Sequence, residues 1–166
     1  MSSCTRRTSK CRCRQRGLTL IEVLVAVLIL GIGLLGIAGL QVRGMQFNHS
    51  AYLRSQASIL AYDMLDRMRA NRKQAEATAS YARNFGESKP SAKECYKPDV
   101  SCSPADIAAF DLREWITLVE STLPDADGAI SFAEVSGVRI YSVDIRWRDN
   151  RDTDVPYEHF LYKAEL

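Results

Sequence analysis

From Leu18 to Leu40 the chain reads LTLIEVLVAVLILGIGLLGIAGL, 23 residues with one charged side chain, Glu22, and no proline. At 1.5 Å of rise per residue this is roughly 34 Å of helix, enough to cross the hydrocarbon core of a bilayer. A secretory signal peptide has a shorter apolar region and closes it with a small-residue cleavage site, whereas here the apolar run continues. The stretch predicts a membrane-spanning helix. Arg6, Arg7, Lys10, Arg12, Arg14 and Arg16 precede Gly17 with no acid among them. A short basic flank of this kind holds its end of the helix in the cytoplasm and sends the residues after Leu40 to the other side.

The same cations mask the charge of the rest of the chain. The formal net charge is +2, from 22 Lys and Arg against 20 Asp and Glu. Without the six before Gly17, 16 cations face 20 acids, so the remainder carries about −4. A mildly acidic domain argues against nucleic acid as a partner, because binding phosphates through bulk charge needs a basic face that displaces counterions. A length of 166 residues leaves room for one small soluble domain beyond the membrane segment.

Glu22 is the informative residue of the segment. A carboxylate inside an apolar helix costs on the order of a few kcal/mol unless it is paired or lies near the surface. Its place in the first turns puts it near the positive end of the helix dipole. Cutting the chain after Gly17 would add a specific cation, the α-amino group of Leu18. In an isolated protomer the alternative is a carboxylate that snorkels to the membrane edge.

Arg16-Gly17-Leu18-Thr19-Leu20-Ile21-Glu22 joins a basic leader, a glycine before the cut, an apolar run and a glutamate at the fifth mature position. This resembles the class III signal of type IV prepilins and type II secretion pseudopilins. The likeness extends through Ile32 to Gln41, Ala51 to Ala57 and Ala61 to Arg72, where the chain is similar to the PilV family of minor pilins, the type IV pilus modification proteins. The resemblance implies that a prepilin peptidase cleaves between Gly17 and Leu18 and N-methylates Leu18. Glu22 would then pair with the N-terminal amine of a neighbouring subunit during assembly. It implies a structural protein without cofactors, a minor pilin in a tip or priming complex. Its partners would be prepilin peptidase, other minor and major pilins, the inner-membrane assembly machinery and, before assembly, the bilayer. The chain would cross the bacterial inner membrane once, with a cytoplasmic N-terminus and a periplasmic domain, and then enter the pilus. Major pilins of this kind carry a disulfide-bounded loop near the C-terminus, whereas Cys102 precedes the whole predicted sheet here, which speaks against a major subunit. The alternatives are a minor pseudopilin of a type II secretion system, or a bitopic binding protein that keeps its anchor.

The expected fold is α+β, type IV pilin-like: a long N-terminal helix packed on a small antiparallel sheet. Residues 1–17 form the cleaved leader, 18–40 the membrane or filament-core helix, 41–72 its amphipathic continuation and 73–166 the globular domain. Leu53, Ala57, Leu60, Met64 and Met68 recur at helical steps, which carries the helix to about Arg72. Gly31, Gly33, Gly36, Gly39 and Gly44 each weaken a helix by roughly 1 kcal/mol relative to alanine, so local unwinding is expected there, with close helix packing through small residues as the alternative. Lys73 to Val100 reads as loop with a short helix near Ala75 to Arg83. Ser103-Pro104-Ala105-Asp106 is a helix start, and the helix near 104–123 ends at Pro124. Strands are expected over Ala129 to Val135, Val138 to Trp147 and Tyr157 to Glu165, turned at Ser136-Gly137 and Asp149 to Asp152.

Five cysteines divide by compartment: Cys4, Cys11 and Cys13 before the cut, Cys95 and Cys102 in the exported part. Export to an oxidising compartment predicts a Cys95–Cys102 disulfide of structural role, contributing roughly 2.5 kcal/mol by loop closure. Two free thiols or a metal pair are the alternative, although further zinc ligands are lacking nearby. The leader triplet likewise has no histidine beside it. Asp125, Asp127 and Glu134 partly match a calcium loop around Gly128, but Leu123 stands where the first ligand belongs, so a helix-to-strand turn is the better reading and no metal site is assigned. His49 and His159 have no nucleophile or metal partner in their local pattern, and without a catalytic signature an enzyme is not indicated. Trp115, Trp147, Tyr141 and Tyr62 fall on apolar stripes and are expected in the core. Arg67, Arg69, Arg72 and Lys73 gather near a helix C-terminus, where cations complement the dipole, as a solvated end.

Overall fold

The computed structural model describes residues 19–149 and 156–166. Cleavage at Gly17, methylation of Leu18, the leader cysteines and most of the expected turn at Asp149 to Asp152 lie outside the described residues. The chain divides into two compact units, up to Met45 and from Gln46 to Leu166.

The described part of the first unit is the opening of helix α1, Leu20–Ala70. Its most apolar 18-residue window has a mean hydropathy of 2.8 and no buried residue, so the helix is long and apolar enough to cross a membrane. The expected unwinding at glycines is corrected here. The helix runs unbroken through all five, and around each an added Cβ would meet nothing within 4 Å. Broken backbone hydrogen bonds in an apolar stretch cost more than glycine's lost helix propensity, which keeps the ladder closed.

The second unit builds its core on the later turns of α1. Leu53, Ala57, Leu60, Ala61, Met64, Leu65 and Met68 are buried along one stripe, and α1 stops at Ala70. A six-residue helix α2, Arg72–Ala77, comes next. The short helix expected near Ala75 to Arg83 therefore begins earlier and ends by Ala77. Arg83 is instead extended, in an antiparallel bridge with Ile130. Helix α3, Pro104–Thr122, opens on a complete capping box: the Ser103 hydroxyl accepts from the Asp106 N–H while the Asp106 carboxylate accepts from the Ser103 N–H. Two orphan donors of the first turn are thereby satisfied.

Three strands close the fold: β1 Asp127–Val135, β2 Val138–Trp147 and β3 Glu158–Glu165. They form one antiparallel sheet in the order β1-β2-β3. Ser136 and Gly137 carry φ of 54° and 81° between β1 and β2. Two successive positive φ values give the type of two-residue turn whose twist matches that of a hairpin. Ile130 faces Val143, and Val143 faces Tyr162 across the central strand. The inward row Ile130, Tyr141, Val143, Ile145 and Trp147 shares one core with the α1 stripe and with Leu112, Trp115, Ile116 and Val119 of α3. Trp115 is the keystone. Its indole N–H donates to the Leu60 carbonyl at 2.9 Å, and its ring lies on Gly128, where a Cβ would stand 2.3 Å from it.

Candidate functional site

The opening turn of α1 presents Glu22. The Glu22 N–H donates to the Thr19 carbonyl at 3.0 Å, which starts the helix ladder. Its side chain is exposed, and among the described residues its carboxylate has no hydrogen-bond or ion-pair partner. Around it the large apolar side chains are open, from Leu20 at 83% and Ile21 at 70% exposure to Leu35 at 74%. An exposed apolar helix with one acid in its first turn offers two things: surface that gains by meeting lipid or other helices, and one charge that selects a cation.

Cys95 and Cys102 are joined by a disulfide, with their Cα atoms 5.9 Å apart. The segment that leads into the loop they close is tied to α3 by polar groups. Lys89 pairs with Glu120 at 2.6 Å and Lys93 with Asp106 at 2.9 Å, while Arg113 donates to the Ala92 carbonyl and to Glu94. The Lys93 ammonium, with the Ser103 hydroxyl and N–H, holds the Asp106 carboxyl down at about 2.

The three acids of the weak calcium candidate do not converge. Asp125 pairs with Arg148 at 2.9 Å, Asp127 with Arg83 and Arg146 at 3.0 and 3.3 Å, and Glu134 with Arg139 at 3.0 Å. Asp127 and Glu134 lie seven residues apart on one strand, roughly 23 Å at extended spacing. Among the described residues no group of acids, histidines and cysteines has a metal-holding arrangement. His159 Nδ1 lies 3.2 Å from Asp144, and His49 Nε2 lies 3.9 Å from Asp149.

Two expectations about polar and aromatic residues need correction. Tyr62 is 46% exposed and leans on Tyr162 with ring centroids 4.7 Å apart, because it sits at the margin of the α1 stripe. Arg67 is not a solvated end: its guanidinium pairs with Asp63 at 2.8 Å and reaches Asp111 at 3.6 Å. Asp111 is 8% exposed and was missed by sequence reasoning. Burial raises its pKa, although the Tyr81 hydroxyl donates to it at 2.8 Å and Arg67 opposes the shift. Burial, with the Asp111 charge, pushes Tyr81 up as well. Asn71 Nδ2 completes the cluster by donating to Tyr81 at 3.0 Å and to the Pro104 carbonyl at 2.8 Å. The readable signal was an acid at the buried step Ala108, Leu112, Trp115 of α3. Arg83, 5% exposed, had no such signal, since it lies outside any periodic segment.

Residues 12–38 match the prokaryotic N-terminal methylation motif, and residues 39–113 match the Tt1218-like family, described as type IV pilin Tt1218. No curated protein and no solved structure gave a match. The long apolar helix on a three-stranded antiparallel sheet is consistent with the type IV pilin fold. Over residues 12–113 the chain is therefore similar to type IV pilins, with a match to the N-terminal methylation motif that runs directly into a Tt1218-like segment.

Proposed function

We propose that the chain is a minor pilin of the PilV type, a building block of the type IV pilus that acts with other minor pilins in a tip or priming complex. The observation that carries this reading is the match to the methylation motif over residues 12–38 continuing into an exposed apolar helix with Glu22, which has no partner among the described residues, in its first turn. In this reading residues 1–17 are a leader, prepilin peptidase cuts between Gly17 and Leu18, and Leu18 is N-methylated. Residues 18–40 cross the inner membrane once, the N-terminus in the cytoplasm and residues 73–166 in the periplasm. On assembly, neighbouring helices replace lipid around residues 18–40. Glu22 gains the Leu18 amine of a neighbouring subunit only when the subunits meet in register, so the charge sets the register and the apolar surface supplies the attraction.

N-terminal mass spectrometry of the protein isolated from membranes tests the processing step. A chain beginning with methylated Leu18 is expected, and an intact leader would overturn the reading in favour of a bitopic anchor. Glu22→Ala is expected to leave insertion and cleavage intact and to lower recovery in sheared filaments at least tenfold, because it removes the pairing charge and keeps the span. Equal recovery of variant and parent would sink the register mechanism. Co-purification with pseudopilins rather than pilins would move the chain to a secretion pseudopilus.

A further inference from the structure

Tyr62 of α1 and Tyr162 of β3 are the one pair of tyrosine rings in contact among the described residues. Their centroids stand 4.7 Å apart with the ring planes inclined at 58°. That separation is at the short end of the about 4.5–7 Å over which aromatic rings pair. Tyr62 sits at the margin of the buried α1 stripe, and Tyr162 takes an inward position on β3, opposite Val143. The hydroxyls meet as well: hydrogen bonding to Tyr162, then its charge, then burial raise the pKa of Tyr62 above its ordinary value. Among the described residues the backbone of β3 bonds to β2 alone. Side chains hold it to α1, Tyr162 on Tyr62 and Glu158 on Arg54 at 3.3 Å.

One-electron oxidation of a phenol, with loss of the hydroxyl proton, gives a phenoxyl radical whose spin is shared between the oxygen and the ring carbons ortho and para to it. In tyrosine the para carbon carries the side chain, so two such radicals join through their ortho carbons. Neighbouring hydroxyls place ortho carbons of the two rings side by side. A bond between them leaves the centroids two ring radii and one bond apart, only slightly closer than the 4.7 Å already present. Tyr62 is open to an oxidant at the surface, whereas Trp115 and Trp147, the other side chains that readily lose one electron, are buried. Cys95 and Cys102 are joined to each other, so neither offers a thiol that would intercept the radical. Tyr52 and Tyr96 are more exposed than Tyr62 but touch no second tyrosine ring among the described residues.

We propose that Tyr62 and Tyr162 are an oxidative coupling site, at which hydrogen peroxide acting through a haem peroxidase joins the two rings ortho to ortho and staples β3 to α1. Each phenol gives up one electron and its hydroxyl proton, and the two radicals form one carbon–carbon bond. The hydrogen on each joined carbon then leaves as a proton, and a proton returns to each oxygen to restore the phenol. The ring pair thus loses two electrons and two protons, and one peroxide takes them up as it becomes two waters. The link adds a covalent tie where β3 has side-chain contacts with α1, and it restricts the unfolded chain by closing a loop from the first helix to the last strand. Both tyrosines lie in the unit from Gln46 to Leu166. The step needs neither cleavage after Gly17 nor a second pilin, so it stands or falls apart from the pilin reading.

The test treats the full chain, dilute in lipid nanodiscs, with limiting hydrogen peroxide and a haem peroxidase, followed by trypsin and mass spectrometry. Tyr62 and Tyr162 fall in different tryptic peptides. The expected product joins those two peptides with the loss of two hydrogen atoms and fluoresces as dityrosine. Because the rings are already held together, it should exceed every other tyrosine link by about fivefold or more. Tyr62→Phe keeps the ring, removes the hydroxyl and should abolish the product, while Tyr52→Phe and Tyr96→Phe should leave it. Tyr157 shares the tryptic peptide of Tyr162, so Tyr157→Phe should also retain it. The coupled chain should melt about 10 °C above the parent. Absence of the 62–162 link, its persistence in Tyr62→Phe, its loss in Tyr157→Phe, or links formed mainly between chains would overturn the site. A coupled chain that melts with the parent would overturn the staple.

Discussion

Single residues carry more of this fold than their size suggests. A Cβ on Gly128 would stand 2.3 and 2.6 Å from two ring atoms of Trp115, which is fully buried and fixed by its bond to Leu60. Gly128→Ala should therefore cost about 1–3 kcal/mol, read as a lower urea midpoint, because the indole has nowhere to move. Asp111 makes an opposite kind of contribution. Its folded pKa is raised, so between the ordinary aspartate value of about 3.9 and that raised value the folded state holds a proton that the unfolded state has released. Stability from this group thus rises as pH falls through that window. Asp111→Asn, which keeps an acceptor for Tyr81, should raise the melting temperature at pH 7, with the gain over the parent disappearing as the pH approaches 4. A gain that persists at low pH would mean that the charge is not what burial penalises.

Among elements, α3 is the one whose start is written most fully in its own residues. The capping box at Ser103 and Asp106 is reinforced by Lys93 from the preceding loop. Ser103→Ala should cost about 1 kcal/mol in chemical denaturation. Asp106 has a depressed pKa, so its support is fully present above the ordinary value and is lost as pH falls toward about 2. The effect of Ser103→Ala should shrink over that same interval, in the opposite sense to Asp111. The long helix is a different case. Its apolar opening and amphipathic continuation were legible as two patterns, but nothing local announced that five glycines would leave the backbone unbroken.

At the scale of the molecule, the loop before α3 contributes no side chain from residues 84–103 to the buried core. It is held by surface ion pairs, which are individually worth little, and by the Cys95–Cys102 bond across a sequence separation of 7. Cys95→Ser should lower stability by roughly 2.5 kcal/mol if closure of this loop in the unfolded chain dominates. Comparing denaturation of variant and parent under non-reducing conditions measures it. The difference should vanish when both are reduced.

The sequence by itself determined the features with a local physical signature. A 23-residue apolar run, a basic flank, a capping box, a two-residue turn and clean alternation in β2 each depend on neighbours a few positions away. Strand β2 was readable to the residue, and β1 and β3 to within two, for that reason. Only the tertiary structure decided that Arg67, Asn71, Tyr81 and Asp111 meet in one cluster, that Arg83 bridges β1 at Ile130, and that Asp125, Asp127 and Glu134 answer to separate arginines, Asp127 to two of them. Those residues are brought together by packing α1, α3 and the sheet around Trp115, and a periodic pattern along the chain carries no record of which distant side chain completes a charge.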